Sequence, residues 1–142
     1  MARSIGIGAR LGTVPAVDQE EIRSYIRLLN RWRKTVARQY LLFGRMEKPF
    51  SVRCSMREEP ILYGGMHRYE CVPTTCFSYR GMCAQMLVNY MPTEQVVEIE
   101  TGELQLFCRT SLEGEASALH PENGVLKLTL PPRSVAMLEW QN

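Results

Sequence analysis

A chain of 142 residues can bury about two-thirds of the surface that its unfolded form exposes, so it can fold as one domain without disulfides or a structural metal. Its 45% hydrophobic and 23% charged residues exclude a disordered, collagen-like or coiled-coil chain. The net charge of +2 hides a division: residues 1–48 hold ten Lys/Arg against Asp18, Glu20, Glu21 and Glu47, whereas residues 49–142 hold seven against eleven Glu, so a basic start can dock on an acidic body or partner.

Residues 1–17, with Gly6, Gly8, Gly12 and Pro15, read as an irregular lead-in. They contain no apolar stretch of signal-peptide type, and nowhere in the chain is there an apolar run of spanning length, so neither export nor a membrane partner is expected. The segment GIGARLG has Leu11 where a dinucleotide loop needs its third glycine, and no strand precedes it, so a nucleotide cofactor is not expected there.

Residues 18–44 read as one amphipathic helix. Asp18 is placed as N-cap, Glu21 as the capping-box acid, and Gly44 as a left-handed stop, with Pro49 preventing resumption. Ile22, Tyr25, Ile26, Leu29, Trp32, Val36, Ala37, Tyr40 and Phe43 fall on one wide face. Arg23, Arg27, Arg31, Lys34 and Arg38 fall on the other, which reads as a solvated face; no nucleic-acid motif accompanies it, so nucleic-acid binding is not expected. The apolar stripe is longer than the face of a small sandwich requires. It is therefore expected to meet a second copy of the chain through Ile22, Ile26, Leu29, Trp32, Val36 and Tyr40, or else a separate partner.

From residue 50 to 142 the period changes from helical to alternating, predicting an antiparallel β-sandwich. Strands are expected at 50–57, 60–63, 66–72, 75–79, 83–90, 95–100, 104–109, 124–130 and 134–140. Turns are expected at Gly64-Gly65, Arg80-Gly81, Met91-Pro92, Thr101-Gly102, Asn123-Gly124 and Pro131-Pro132.

The chemistry-bearing residues assemble no recognisable centre. His67, Cys71, Cys76 and Cys83 are all zinc-competent, but their spacing lacks the Cys-x2-Cys step that wraps two thiolates round one ion, and cysteines in strands usually act as small buried hydrophobes. No metal is expected, nor is a Cys-His nucleophile, since no Asn or Asp stands near to orient the imidazole. Five cysteines cannot all pair within one chain, which points to reduced thiols and a cytoplasmic location. Asp18 is the only aspartate, which removes most calcium, magnesium and triad chemistries. Glu58, Glu59, Glu113 and Glu115 remain as carboxylates for glycoside chemistry, but they stand in polar, turn-like contexts with nothing to raise a pKa. Tyr63, Tyr69, Tyr79, Tyr90 and Trp140 could stack sugars, yet their spacing is that of core residues in strands.

Two stretches carry a resemblance. LVNYMPTEQVVEIE, a strand ending in Asn, a short turn and a returning strand, resembles the domain that closes barrel glycoside hydrolases of the α-galactosidase and α-amylase type. GVLKLTLPPRSVAMLEW is similar to the last hairpin of that domain, RKTVARQYLLFGRMEKPF to the last barrel helix running into it, and GIGARLG to the loop before that helix. The resemblance implies a β-sandwich preceded by a helix that packs on a barrel this chain does not contain. The catalytic carboxylates of such enzymes come from barrel strands, so no catalytic residue carries over. The expectation is a non-catalytic accessory domain; a stand-alone sugar-binding or protein-interaction module is the alternative.

Overall fold

The computed structural model describes residues 20–61 and 63–142. The lead-in over residues 1–17, the loop GIGARLG and the Asp18 cap lie outside the described residues.

The helix expected over residues 18–43 is two helices, α1 (Glu20–Lys34) and α2 (Arg38–Phe43). The break has a local cause. The Thr35 hydroxyl donates to the Arg31 carbonyl at 2.6 Å, competing with the backbone ladder. The Ala37 N–H then reaches back five residues to the Trp32 carbonyl at 3.1 Å, and the Arg38 N–H only three, to Thr35, also at 3.1 Å.

Gly44 does end α2, but not in the left-handed conformation expected of it: its φ is −74° and its ψ 152°. Glycine is required there by close approach. A Cβ would stand 2.3 Å from the Tyr40 carbonyl oxygen and 3.1 Å from that of Ser78. Gly44→Ala is therefore expected to destabilise the chain by about 2–3 kcal/mol through overpacking. Gly81, at φ +78° with nothing within 4 Å, is expected to cost only about 1 kcal/mol when changed to Ala. Urea midpoints of the two variants check the order.

Eleven strands are described: β1 (Arg45–Glu47), β2 (Ser51–Arg53), β3 (Met56–Pro60), β4 (Met66–Glu70), β5 (Thr74–Tyr79), β6 (Met82–Asn89), β7 (Gln95–Glu100), β8 (Leu106–Arg109), β9 (Ser117–Leu119), β10 (Val125–Leu130) and β11 (Ser134–Gln141). The run expected as one strand from Phe50 to Arg57 is divided between β2 and β3, which serve different sheets. Of the strand expected at 60–63, Pro60 ends β3, Leu62 lies outside the described residues, and Tyr63 stands in a turn closed by a hydrogen bond from the Ile61 N–H to the Gly65 carbonyl at 3.1 Å. The turns at Arg80-Gly81 and Asn123-Gly124 form as expected, all four residues having positive φ.

All pairings are antiparallel. A six-stranded sheet has the order β1-β5-β6-β11-β8-β9, a three-stranded sheet the order β10-β7-β2, and β3-β4 is a separate hairpin. The six-stranded sheet is covered on both faces. On one, Phe77, Ala84, Met86, Val88, Val135 and Met137 meet Tyr25, Leu29, Trp32, Ala37 and Tyr40 of the helical segment. On the other, Cys76, Cys83, Leu87, Ala136, Leu138 and Trp140 meet Val97, Ile99, Leu126 and Leu130 of the three-stranded sheet. For that reason β6 and β11 are buried almost without alternation, while β7 buries only every second residue.

This layering corrects the expected partner face. Leu29, Trp32 and Tyr40, read as meeting a second copy, are 0%, 1% and 1% exposed against the chain's own sheet. Ile22, Ile26 and Val36 are half-buried. The break at residues 35–37 divides the apolar stripe between α1 and α2, and both helices put residues into the cluster on the sheet.

Candidate functional site

Two hollows flank Arg38. One, of 390 Å³, is lined by Arg33, Lys34, Arg38, Leu41 and Leu42; the other, of 410 Å³, by Val36, Arg38, Gln39 and Phe43 among others. Among the described residues, neither has a carboxylate in its wall. A third, of 290 Å³, opens between β1, β5 and β6 beside Phe50 and Trp140, with Glu47, Lys48, Cys76 and Cys83 in its wall. Phe50 and Trp140 pack there with ring centroids 4.6 Å apart. The buried Gln85 ties this corner together, accepting from the Phe50 N–H at 2.8 Å and donating to the Phe50 carbonyl and the Thr74 hydroxyl.

The His-Cys series does not converge. His67 lies on the exposed hairpin, opposite Glu59 in register and edge-on to Tyr69 at 4.3 Å. Cys71 is buried at the hairpin's base, its N–H donating to the Ser55 carbonyl. Cys76 and Cys83 face the space between the sheets from neighbouring strands. Among the described residues, no three His, Cys, Asp or Glu side chains are placed to hold a metal ion.

Burial pushes the thiols of Cys54, Cys71, Cys76, Cys83 and Cys108 up, Cys76 to about 12 and Cys108 to about 11. A raised thiol pKa leaves less nucleophilic thiolate at neutral pH. With a disulfide reagent at pH 7, the half-buried Cys54 is expected to react slowly and the other four to resist until denaturant is added, when all five should titrate. Reactivity should rise as the pH is raised. Fast labelling of Cys76 or Cys83 in the folded protein would contradict this placement.

The carboxylates are scattered. Glu58 and Glu59 sit on β3, where Glu59 pairs with Arg57 at 2.5 Å and Glu58 stands opposite Arg68. Glu113 lies in the loop between β8 and β9, where hydrogen bonds from Arg31, at 2.6 Å, and from Ser111 hold its fully exposed carboxyl below the usual carboxylate range. Glu115 is exposed in the same loop. The aromatic candidates do not form a platform either. Trp140 is buried, Tyr63 is 95% exposed in the hairpin turn, and the Tyr90 hydroxyl donates to the Glu70 carbonyl.

Three polar anchors escape a reading for catalytic residues. Asn89, fully buried at the end of β6, donates to the carbonyls of Thr93, Leu130 and Pro131 at 3.0, 3.2 and 2.7 Å and accepts from the Met91 N–H at 3.0 Å. Arg133, at φ +51° in the Pro131-Pro132 corner, donates from its side chain to the Tyr90 carbonyl and from its backbone to Met91. Its guanidinium lies 5.8 Å from the Tyr25 ring centre and 3.5 Å from a Glu21 carboxyl oxygen, tying the start of α1 to the sheet. Tyr40 donates its phenol to Glu139 at 2.8 Å. Burial and that carboxylate together push the Tyr40 hydroxyl well above the usual tyrosine range.

No family model matches this sequence, and no curated protein matches it. Among solved structures, the chain is similar to an Anoxybacillus alpha-amylase, at TM-score 0.48 and 13% identity, over 87% of this chain and 23% of that one. It is also similar to a GH30 endoxylanase from Clostridium papyrosolvens, at TM-score 0.45 and 10% identity, over 84% of this chain and 28% of that one. The chain thus spans about a quarter of the length of each glycoside hydrolase.

Proposed function

We propose that this chain is a non-catalytic accessory domain of the kind that closes a barrel glycoside hydrolase. The observation that carries the reading is the placement of the carboxylates. Glycoside hydrolysis needs two of them across one cleft, one with a raised pKa. Here Glu58 and Glu59 ride on a projecting hairpin, and Glu113 and Glu115 lie in a separate loop. Glu113 is held in its ionised form by Arg31 and so is a poor acid. The motif LVNYMPTEQVVEIE, on which the resemblance rests, supports the reading in a second way. Its Asn89 is spent on fixing the corner between β6 and β7, a structural task.

The test is an assay of the purified chain against aryl-glycosides and oligosaccharides of common linkage, in parallel with single substitutions of Glu58, Glu59, Glu113 and Glu115. No release above the rate of buffer is expected. Turnover that survives purification and disappears in one glutamate variant would make the chain an enzyme.

A further inference from the structure

We propose that the end of α2 and the edge strand β1 form a docking surface for an anionic membrane leaflet. Three large apolar side chains within five residues stand open there: Leu42 is 56% exposed, Phe43 67% and Met46 59%. Leu42 and Phe43 end α2, and Met46 lies in the adjoining strand β1. Arg38 separates the two hollows, with Leu42 on one side and Phe43 on the other. Phe43 packs on Tyr79 with ring centroids 6.1 Å apart, and Arg80 lies 5.2 Å from the Tyr79 ring centre. Met46 stands opposite Phe77 at the open edge of the six-stranded sheet.

The rim of this patch is basic. Arg33, Lys34 and Arg38 line the hollows, Arg45 and Lys48 flank Met46 in sequence, and Arg80 closes the side beyond Tyr79. The one acid among them, Glu47, is engaged by the Ser78 hydroxyl at 2.7 Å and by Arg45 at 3.5 Å. Arg33, Lys34, Arg38, Lys48 and Arg80 form no ion pair among the described residues. Elsewhere on the helical segment the cations are matched: Arg27 pairs with Glu20 and Arg31 with Glu113.

That contrast selects the occupant. A second copy docked patch to patch about a two-fold axis would bring two rims of unpaired cations together, which weakens that contact. A surface that is apolar beneath and negative above meets both parts at once. Leu42, Phe43 and Met46 enter the acyl boundary while the cations stay among anionic headgroups. No helix among the described residues is long and apolar enough to cross a membrane, so this contact is peripheral. The face lies within RKTVARQYLLFGRMEKPF, the stretch likened to the last barrel helix, so leaflet and barrel compete for it, and vesicle binding by the chain alone reads the leaflet without the barrel.

The experiment is co-sedimentation of the whole chain with phosphatidylcholine vesicles, with and without roughly 30% phosphatidylglycerol. Binding is expected to the anionic vesicles alone and to be lost at high salt. R33Q/K34Q/R38Q should weaken it by roughly a hundredfold, and L42S/F43S by about tenfold or more. All of these residues except the half-buried Arg33 are exposed, so both variants should melt with the wild type, which thermal circular dichroism verifies. Failure to bind anionic vesicles, or equal binding to neutral ones, overturns the proposal; with no binding to either, an acidic protein surface becomes the occupant to test.

Discussion

Asn89→Ala is expected to lower the unfolding free energy by about 2–4 kcal/mol, although it removes a side chain of modest size. The loss comes from what is left behind. Three carbonyls, of Thr93, Leu130 and Pro131, and the Met91 N–H lose their partner around a side chain that is 0% exposed, the Leu130 carbonyl in a fully buried bond. Asn89→Asp provides the sharper diagnosis. A carboxylate in this position faces three carbonyl oxygens, so its ionised form is disfavoured and its folded-state pKa rises above the unfolded value. Stability of that variant is therefore greatest at low pH and falls as the pH rises through the ordinary aspartate range, opposite to the usual acid destabilisation. Urea titrations at two pH values separate this from a simple loss of packing. An Asn89→Ala variant as stable as the wild type would show that solvent replaces the side chain.

Trp32→Ala is expected to have an effect of similar or larger size, about 3–5 kcal/mol, by opening a cavity between the helical segment and the sheet. Trp32 is 1% exposed and packs in one cluster with Leu29, Met86 and Met137. Against a typical total stability of about 5–15 kcal/mol, the loss removes about a fifth or more of what keeps a domain folded. Trp32→Phe retains most of the volume and should cost less than half as much. Thermal melts of the two variants test the pair. Near-wild-type stability of Trp32→Ala would mean that α1 contributes little and is held in place elsewhere.

Legibility in the sequence followed burial. β7 was readable to the residue because it buries one face only, giving the alternation of Val97, Glu98, Ile99 and Glu100. β6 and β11 were readable from their β-branched and apolar content and flanking turns, although covered faces on both sides erase the alternation. The three-residue strands β1 and β9 were not readable. Their residues are exposed or half-buried and polar in part, and each exists by pairing with a neighbour, β5 or β8, that must already be in place. The apolar face of the helical segment is legible at Tyr25, Leu29, Trp32 and Tyr40, which pack on the chain's own sheet. A stripe of apolar residues does not say which surface covers it, and the hydroxyl of Thr35 gave the only local hint of a break. For the site, the spacing of the His-Cys series did not show that His67 lies on the β3-β4 hairpin while Cys76 and Cys83 lie between the sheets. Nor did the sequence reveal that Asn89 and Arg133 meet at one corner, because that meeting depends on the arrival of β11 beside β6.

The position of β11 has a consequence for the order of events during synthesis. The strand at the heart of the six-stranded sheet is the last of the eleven to be made, yet it supplies partners to β6 along eight residues and to β8 as well. Until it arrives, β6 and β8 present bare inner edges, and both apolar clusters lack a wall. A nascent chain therefore cannot settle strand by strand. It waits with two sticky edges until β11 is free of the ribosome, the interval in which a chaperone matters most to a topology dominated by distant pairings.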